Sequence, residues 1–293
     1  MATKRITRQS IKSKNLLSQS SSPHYSRTKL ASNKHLVHTQ TQSSNYTSCQ
    51  EVTNLSCSYE PPHWKQHLEN IRTMRRLRDA PVDSMGASKC ADRNDIAENF
   101  RFQIMMSLLL SSQTRDEVTS AAMSRLRDHG CSVRAMRQTP LKDIEDLIKP
   151  VGFYPKKSKY IKQVADICAE KYAGDIPQSF KELCDLPGIG PKMANLIMEL
   201  AWGQVTGIAV DTHVHRIANR LGWVKPVAKT PEQTRIALES WLPKELWSDA
   251  NLLMVGFGQQ ICIAVKPKCD QCLNAGICPF YTSGHKISSK KKK

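Results

Sequence analysis

The sequence predicts an all-α protein. Apolar residues recur at intervals of three and four, only Thr206 to Val210 is β-branched enough for a strand and is too short to build a sheet, and no segment repeats. Phe102 to Leu110 and Val118 to Leu126 carry helical apolar spacing and are parted by the polar stretch Ser111-Ser112-Gln113-Thr114. Tyr160, Ile161, Val164, Ala165 and Cys168 continue the pattern. Met193, Leu196, Ile197 and Leu200 occupy one helix face, as do Val214, Ile217, Ala218 and Leu221, and Leu252, Leu253, Val255 and Gly256 belong to one further helix.

At 293 residues the chain exceeds what one core usually occupies, so one large or two smaller domains are expected. Lys and Arg number 43 against 26 Asp and Glu, a formal charge of +17. An excess of that size suits a protein that must find a polyanion. The longest apolar stretch, Ile104 to Leu110, is interrupted by Ser107 and falls far short of the roughly 18 residues of a membrane span. A transmembrane protein is therefore excluded. The 10 cysteines do not fit a secreted disulfide scaffold, because the chain is too long to need one and no apolar run follows the N-terminal charges. In a reducing compartment clustered cysteine means metal.

The charge is uneven. Residues 1–50 hold eight Lys or Arg, eleven Ser and no acid, and Lys290 to Lys293 close the chain. All five Trp lie between Trp64 and Trp247. Residues 1–60 are expected to be a basic tail too poor in apolar surface to fold. Its composition fits a mitochondrial transit peptide, a nuclear or nucleic-acid-gripping arm, or a plain solvated linker. Residues 284–293 are a second, Lys-rich tail.

Leu186-Pro187-Gly188-Ile189-Gly190-Pro191-Lys192 lies between two amphipathic segments, Ser179 to Cys184 and Lys192 to Ala201. Pro187 stops the first, the two glycines permit a tight turn, and Pro191 suits the first position of the second. Bare glycine amides before a helix N-terminus form a phosphate site, so the segment resembles a helix-hairpin-helix clamp on a DNA backbone; an ordinary αα corner is the plainer alternative. Lys192 falls in the first turn, where the helix dipole disfavours a cation, beside the apolar row that starts at Met193. Both influences favour the neutral amine, a nucleophile able to form a Schiff base. Asp211, in Val210-Asp211-Thr212-His213-Val214, suits a helix N-cap, which holds a carboxylate ionised and rigid. Such a group can stabilise a developing sugar cation or activate a nearby amine.

Cys262, Cys269, Cys272 and Cys278 supply four thiolates within 17 residues, the number a [4Fe–4S] cluster needs. Zinc is the rival, although its structural sites tend to come as two close pairs. Lys266 and Lys268, flanking Pro267 in the first loop, are placed to meet a phosphate. The other cysteines (Cys49, Cys57, Cys90, Cys131, Cys168, Cys184) have no ligand spacing, and Cys168 and Cys184 look like small core residues.

In order and spacing, the Leu-Pro-Gly-Ile-Gly-Pro-Lys segment, Val-Asp-Thr-His-Val-His-Arg and the four cysteines resemble the endonuclease III family. The likeness runs from about Trp64 to Tyr281, through Asp79 to Asp83, Leu110 to Thr114 and Pro150 to Tyr154, and is nearest to eukaryotic members. It implies two all-α lobes with a DNA cleft between them: a six-helix lobe over residues 94–204, and an iron–sulfur cluster lobe of residues 61–93 with 205–283. It implies a DNA glycosylase and AP lyase acting on duplex DNA that carries oxidised pyrimidines or abasic sites. The protein is expected to be a monomer, and the tail composition leads us to expect it in nucleus and mitochondrion. Lys192 would then be the Schiff-base nucleophile and Asp211 its electrostatic partner. Gln113 would fill the gap left by a flipped base, and Phe153, where bacterial members have an aliphatic residue, would be the wedge. Gly188, Gly190, Lys266 and Lys268 would contact the backbone. Two alternatives stay open: a glycosylase of the same fold with another base specificity, against which Lys192 argues, and a non-catalytic DNA-binding protein.

Overall fold

The computed structural model describes residues 59–284, and both predicted tails beyond 59 and 284 lie outside it, together with Cys49 and Cys57. Among the described residues thirteen α-helices follow one another: α1 (Trp64–Met74), α2 (Pro81–Met85), α3 (Ala97–Ser111), α4 (Asp116–His129), α5 (Val133–Gln138), α6 (Leu141–Ile148), α7 (Tyr154–Lys171), α8 (Phe180–Cys184), α9 (Pro191–Trp202), α10 (Thr212–Arg220), α11 (Pro231–Glu239), α12 (Trp247–Gln260) and α13 (Pro279–Thr282). Among the described residues there is no strand, and no helix is long and apolar enough to cross a membrane.

Two cores organise these helices. The first gathers α3 to α9 around Phe102, Met105, Met106, Leu109, Met123, Ile161, Val164 and Ile197. Helix α3 is its axis, with every residue from Phe102 to Leu110 buried. A helix apolar on all sides belongs in the middle of a bundle, and this one lies against α4 and α9. Cys90 and Ala91 also enter this core. Cys168 is buried as predicted, whereas Cys184 is only half-buried.

The second core joins α1 to α10, α11 and α12. Trp64 and Trp223 each meet Trp241 edge-on, with ring centroids 5.4 and 5.6 Å apart. Burial lowers the His67 pKa, which favours the neutral ring. Trp223 Nε1 then donates to His67 Nδ1 at 3.1 Å, and His67 Nε2 donates to the Ile277 carbonyl at 3.2 Å. Asn70 donates to Asn274 Oδ1 at 2.8 Å, and Asn274 donates to the His67 carbonyl at 3.2 Å. Helix α1, some 200 residues earlier in the chain, thus fastens the loop between Cys272 and Cys278.

Helix α2 packs on α4 of one lobe and α12 of the other. Arg75, fully buried, donates to Asp83 and, at 2.9 Å, to Gln260 Oε1. Gln259 accepts from the Val82 amide at 3.0 Å through Oε1. Helix α2 is therefore held to α1 and α12 by a polar network, and it packs on α4 from there.

Candidate functional site

Ser179 caps α8 by accepting from the Glu182 amide, and the chain turns after Cys184. At Gly188 φ is +84°, and a Cβ would stand 2.5 Å from the Tyr160 ring, so conformation and space both demand glycine. Gly190 differs. Its backbone is extended as the N-cap of α9, and nothing lies within 4 Å of where a Cβ would be. It keeps the approach to the helix N-terminus open rather than making the turn. Pro191 takes the first helical position, and α9 buries Ala194, Asn195, Ile197 and Met198. Lys192 stands exposed beside them. The apolar row beginning at Met193 packs against the core and does not cover the amine.

Thr206 to Val210 forms no strand, because side chains take the place of a ladder. The Ile208 amide donates to Glu239 Oε1 at 2.7 Å, Asn251 donates to the Ala209 carbonyl, and Thr206 donates to Asn195 Oδ1 at 2.8 Å. This extended strap leads from α9 to Asp211, which is the N-cap of α10 and accepts from the Val214 amide at 2.8 Å. Among the described residues no ion pair joins Lys192 to Asp211. Charges from both helices bear on Asp116, in the first turn of α4. Burial raises the Asp116 pKa, and the hydrogen bond from Gln259 and the nearby charges of His213 and Lys192 oppose that rise. Lys192 on α9 and His213, two residues beyond Asp211, thus both lie within electrostatic reach of one carboxylate. Sequence reasoning passed over Asp116; its only local signal is an acid opening a helix three residues after Gln113.

Two exposed side chains mark the loops before α4 and α7. Gln113 has φ +51° and Phe153 φ +58°, a region L-residues rarely adopt. Phe153 is 64% exposed, a large apolar side chain held out in solvent.

The four predicted cysteine ligands line one cavity, walled by Leu221, Phe257, Ile261 and Pro267. Burial pushes the Cys272 thiol up to about 11, and Cys269 and Cys278 are raised for the same reason. Donors already face the sulfurs: Arg220 reaches Cys262 Sγ at 3.3 Å, the Asn274 backbone reaches Cys272, and the backbones of Tyr281 and Phe280 reach Cys278. Among the described residues no group of three or more His, Cys, Asp or Glu side chains stands at metal-binding geometry. Lys266, with φ +53°, and Lys268 are exposed on the first loop.

The profile of the HhH-GPD superfamily base excision DNA repair proteins matches residues 106–244. Endonuclease III-like protein 1 of Gallus gallus is 56% identical over 221 residues, covering 75% of this chain and 79% of the relative. The chain belongs to the endonuclease III family. Endonuclease III homolog 1, chloroplastic, of Arabidopsis thaliana is 48% identical over 254 residues, 84% of this chain and 67% of the relative. Among solved structures, a trapped endonuclease III–DNA covalent intermediate matches with TM-score 0.65 at 28% identity, over 75% of this chain and 95% of that one. This endonuclease III homologue is a DNA glycosylase of base excision repair, with the all-α fold that its periodicity predicts.

Proposed function

We propose that the protein is a bifunctional DNA N-glycosylase and AP lyase that excises oxidised pyrimidines from duplex DNA and then cuts the strand 3′ to the abasic site. The observation that supports this reading is Lys192 exposed at the N-terminus of α9, with Asp211 capping α10 and the charges of Lys192 and His213 both bearing on Asp116. An amine at a helix N-terminus and a carboxylate held by a helix cap are the two kinds of group such chemistry needs.

In this mechanism the lesion is flipped out, Gln113 and Phe153 occupy the space it leaves, and the hairpin amides at Gly188 and Gly190 hold a phosphate. Lys192 Nζ bonds to C1′ as the bond from C1′ to the base breaks, and the base leaves with the electron pair. The Asp211 carboxylate stabilises the cationic character at C1′ and takes up the proton that the amine sheds. The C1′–O4′ bond then breaks as the nitrogen lone pair forms a protonated imine, the proton held by Asp211 passes to O4′, and water protonates the departed base. Loss of the acidified C2′ proton forms the C2′–C3′ double bond and expels the 3′ phosphate. Water finally releases Lys192.

Cys262, Cys269, Cys272 and Cys278 would hold a [4Fe–4S] cluster, whose contribution is structural: four thiols in one pocket, already faced by Arg220 and backbone N–H groups, fit an anionic thiolate cluster. Pinning that loop would fix Lys266 and Lys268 toward a phosphate. The basic tail adds sequence-independent grip, and its composition supports delivery to mitochondrion and nucleus. The protein acts as a monomer.

Incubating the protein with a thymine-glycol duplex and borohydride tests the reading. Reduction of the imine should leave a protein–DNA adduct on a denaturing gel. Base release without any adduct would leave a glycosylase with no lyase step.

A further inference from the structure

Lys157 lies in the first turn of α7, four residues after Phe153, yet its side chain is almost wholly buried, at 5% exposure. Its Nζ donates to the Leu110 carbonyl at 2.7 Å, the Ser112 carbonyl at 2.6 Å and Thr114 Oγ1 at 3.2 Å. The two carbonyls belong to the end of α3, where helical acceptors lack intrahelical partners and a cation is favoured. Thr114 Oγ1 also accepts from the Gly152 amide at 3.1 Å and donates to the Ser112 carbonyl at 3.2 Å. Gly152 itself lies so close that a Cβ there would stand 2.7 Å from the Gln113 carbonyl oxygen. The loop bearing Gln113 and the loop bearing Phe153 are thus joined through the Thr114 hydroxyl at a close backbone approach, with one buried ammonium beneath them.

Burying an ammonium is costly, and here desolvation lowers its pKa to about 8 with no charged group to offset it. None of the ion pairs among the described residues includes Lys157; its partners are two carbonyls and a hydroxyl. Capping α3 alone would not call for a buried charge, since a solvated side chain or water can satisfy a helix C-terminus. The three contacts all fall on the segment that holds Gln113 in its left-handed conformation.

We propose that Lys157 is a positioning residue that clamps the Gln113 and Phe153 loops into one rigid unit, so that both side chains enter the duplex together when a base leaves it. The inference rests on the gap-filling reading of those two residues given above. It assigns Lys157 no contact with the reacting atoms. Its prediction is specific: losing the ammonium penalises a duplex, which has a hole to fill, and spares a single strand, which has none.

The test compares single-turnover strand cleavage at an abasic site in a duplex and in the same oligonucleotide single-stranded, using full-length protein in excess. Lys157→Met keeps the aliphatic stem and removes the charge; Thr114→Val keeps the shape and removes the shared hydroxyl. Each should lower the duplex rate at least tenfold while the single-strand rate stays within twofold. Ile161→Val, in the core one turn further along α7, should lower the melting temperature and leave the ratio of the two rates unchanged. If Lys157→Met does not fold, Thr114→Val decides alone. Equal losses on both substrates, or an unchanged ratio in a folded variant, would overturn the clamp and leave Lys157 a structural cap. A wild-type chain inert on both substrates would overturn the lyase reading, and the clamp with it.

Discussion

Gln259 donates from Nε2 to Asp116 Oδ2 at 2.8 Å, tying the last turn of α12 in one lobe to the first turn of α4 in the other. The acceptor is half-buried and its pKa lies above the ordinary carboxylate range, chiefly through desolvation. Folding therefore favours the protonated form, and wild-type stability falls as pH rises from the ordinary carboxylate range through the raised value. Asp116→Asn retains an acceptor for Gln259 and carries no charge. Its melting temperature should exceed that of wild type at pH 7, and the difference should vanish below the ordinary carboxylate range. Thermal melts of both proteins across pH 3 to 8 check this; equal curves throughout would mean the carboxylate is not strained by burial.

Lys192→Gln should abolish the borohydride-trapped adduct while helicity and binding to undamaged duplex persist. The side chain is exposed at the start of α9 and supports none of the core, so its loss should not unfold the lobe. An adduct that still forms in the variant would move the nucleophile elsewhere.

Asp211→Asn should leave the melting temperature nearly unchanged, because Asn accepts the Val214 amide about as well as Asp does. Turnover should fall by about 10² to 10³, the usual cost of losing a preorganised charge. A lower melting temperature with full turnover per folded molecule would reduce Asp211 to a helix cap.

Anaerobically purified protein should absorb broadly in the visible and contain about four irons per chain, in line with four thiolates. Stoichiometric zinc and no colour would replace the cluster with a single ion, leaving the reading of Lys192 and Asp211 untouched.

Removing residues 1–56 deletes all eight basic residues of the first fifty. Single-turnover base excision should stay within a few-fold at low salt, while affinity for undamaged duplex weakens and depends less steeply on salt, because fewer counterions are released. Imaging tagged full-length and shortened chains side by side should show mitochondrial import lost on truncation. Loss of single-turnover chemistry would place the tail within the folded enzyme.

What the sequence determined by itself is what depends on neighbours along the chain. The apolar periodicity marks α3, α4, α7, α9, α10 and α12; Pro191 and Asp211 mark helix starts; spacing groups the four cysteines. Each of these needs only a few consecutive residues to be satisfied, so it is legible without a fold. The tertiary structure decided what depends on residues meeting from afar. Leu110 and Ser112 offer carbonyls to Lys157 from more than forty positions away, and Asp116 meets Gln259 across 143. Thr206 to Val210 has strand composition but finds Glu239 and Asn251 instead of a neighbouring strand. Lys192 adjoins an apolar row in sequence, yet the helical turn sends that row into the core and leaves the amine in solvent. Periodicity tells which face of a helix is apolar; only packing tells what each polar group on the other face will meet, because a hydrogen bond or a buried charge is settled by distances of a few ångströms that no local pattern encodes.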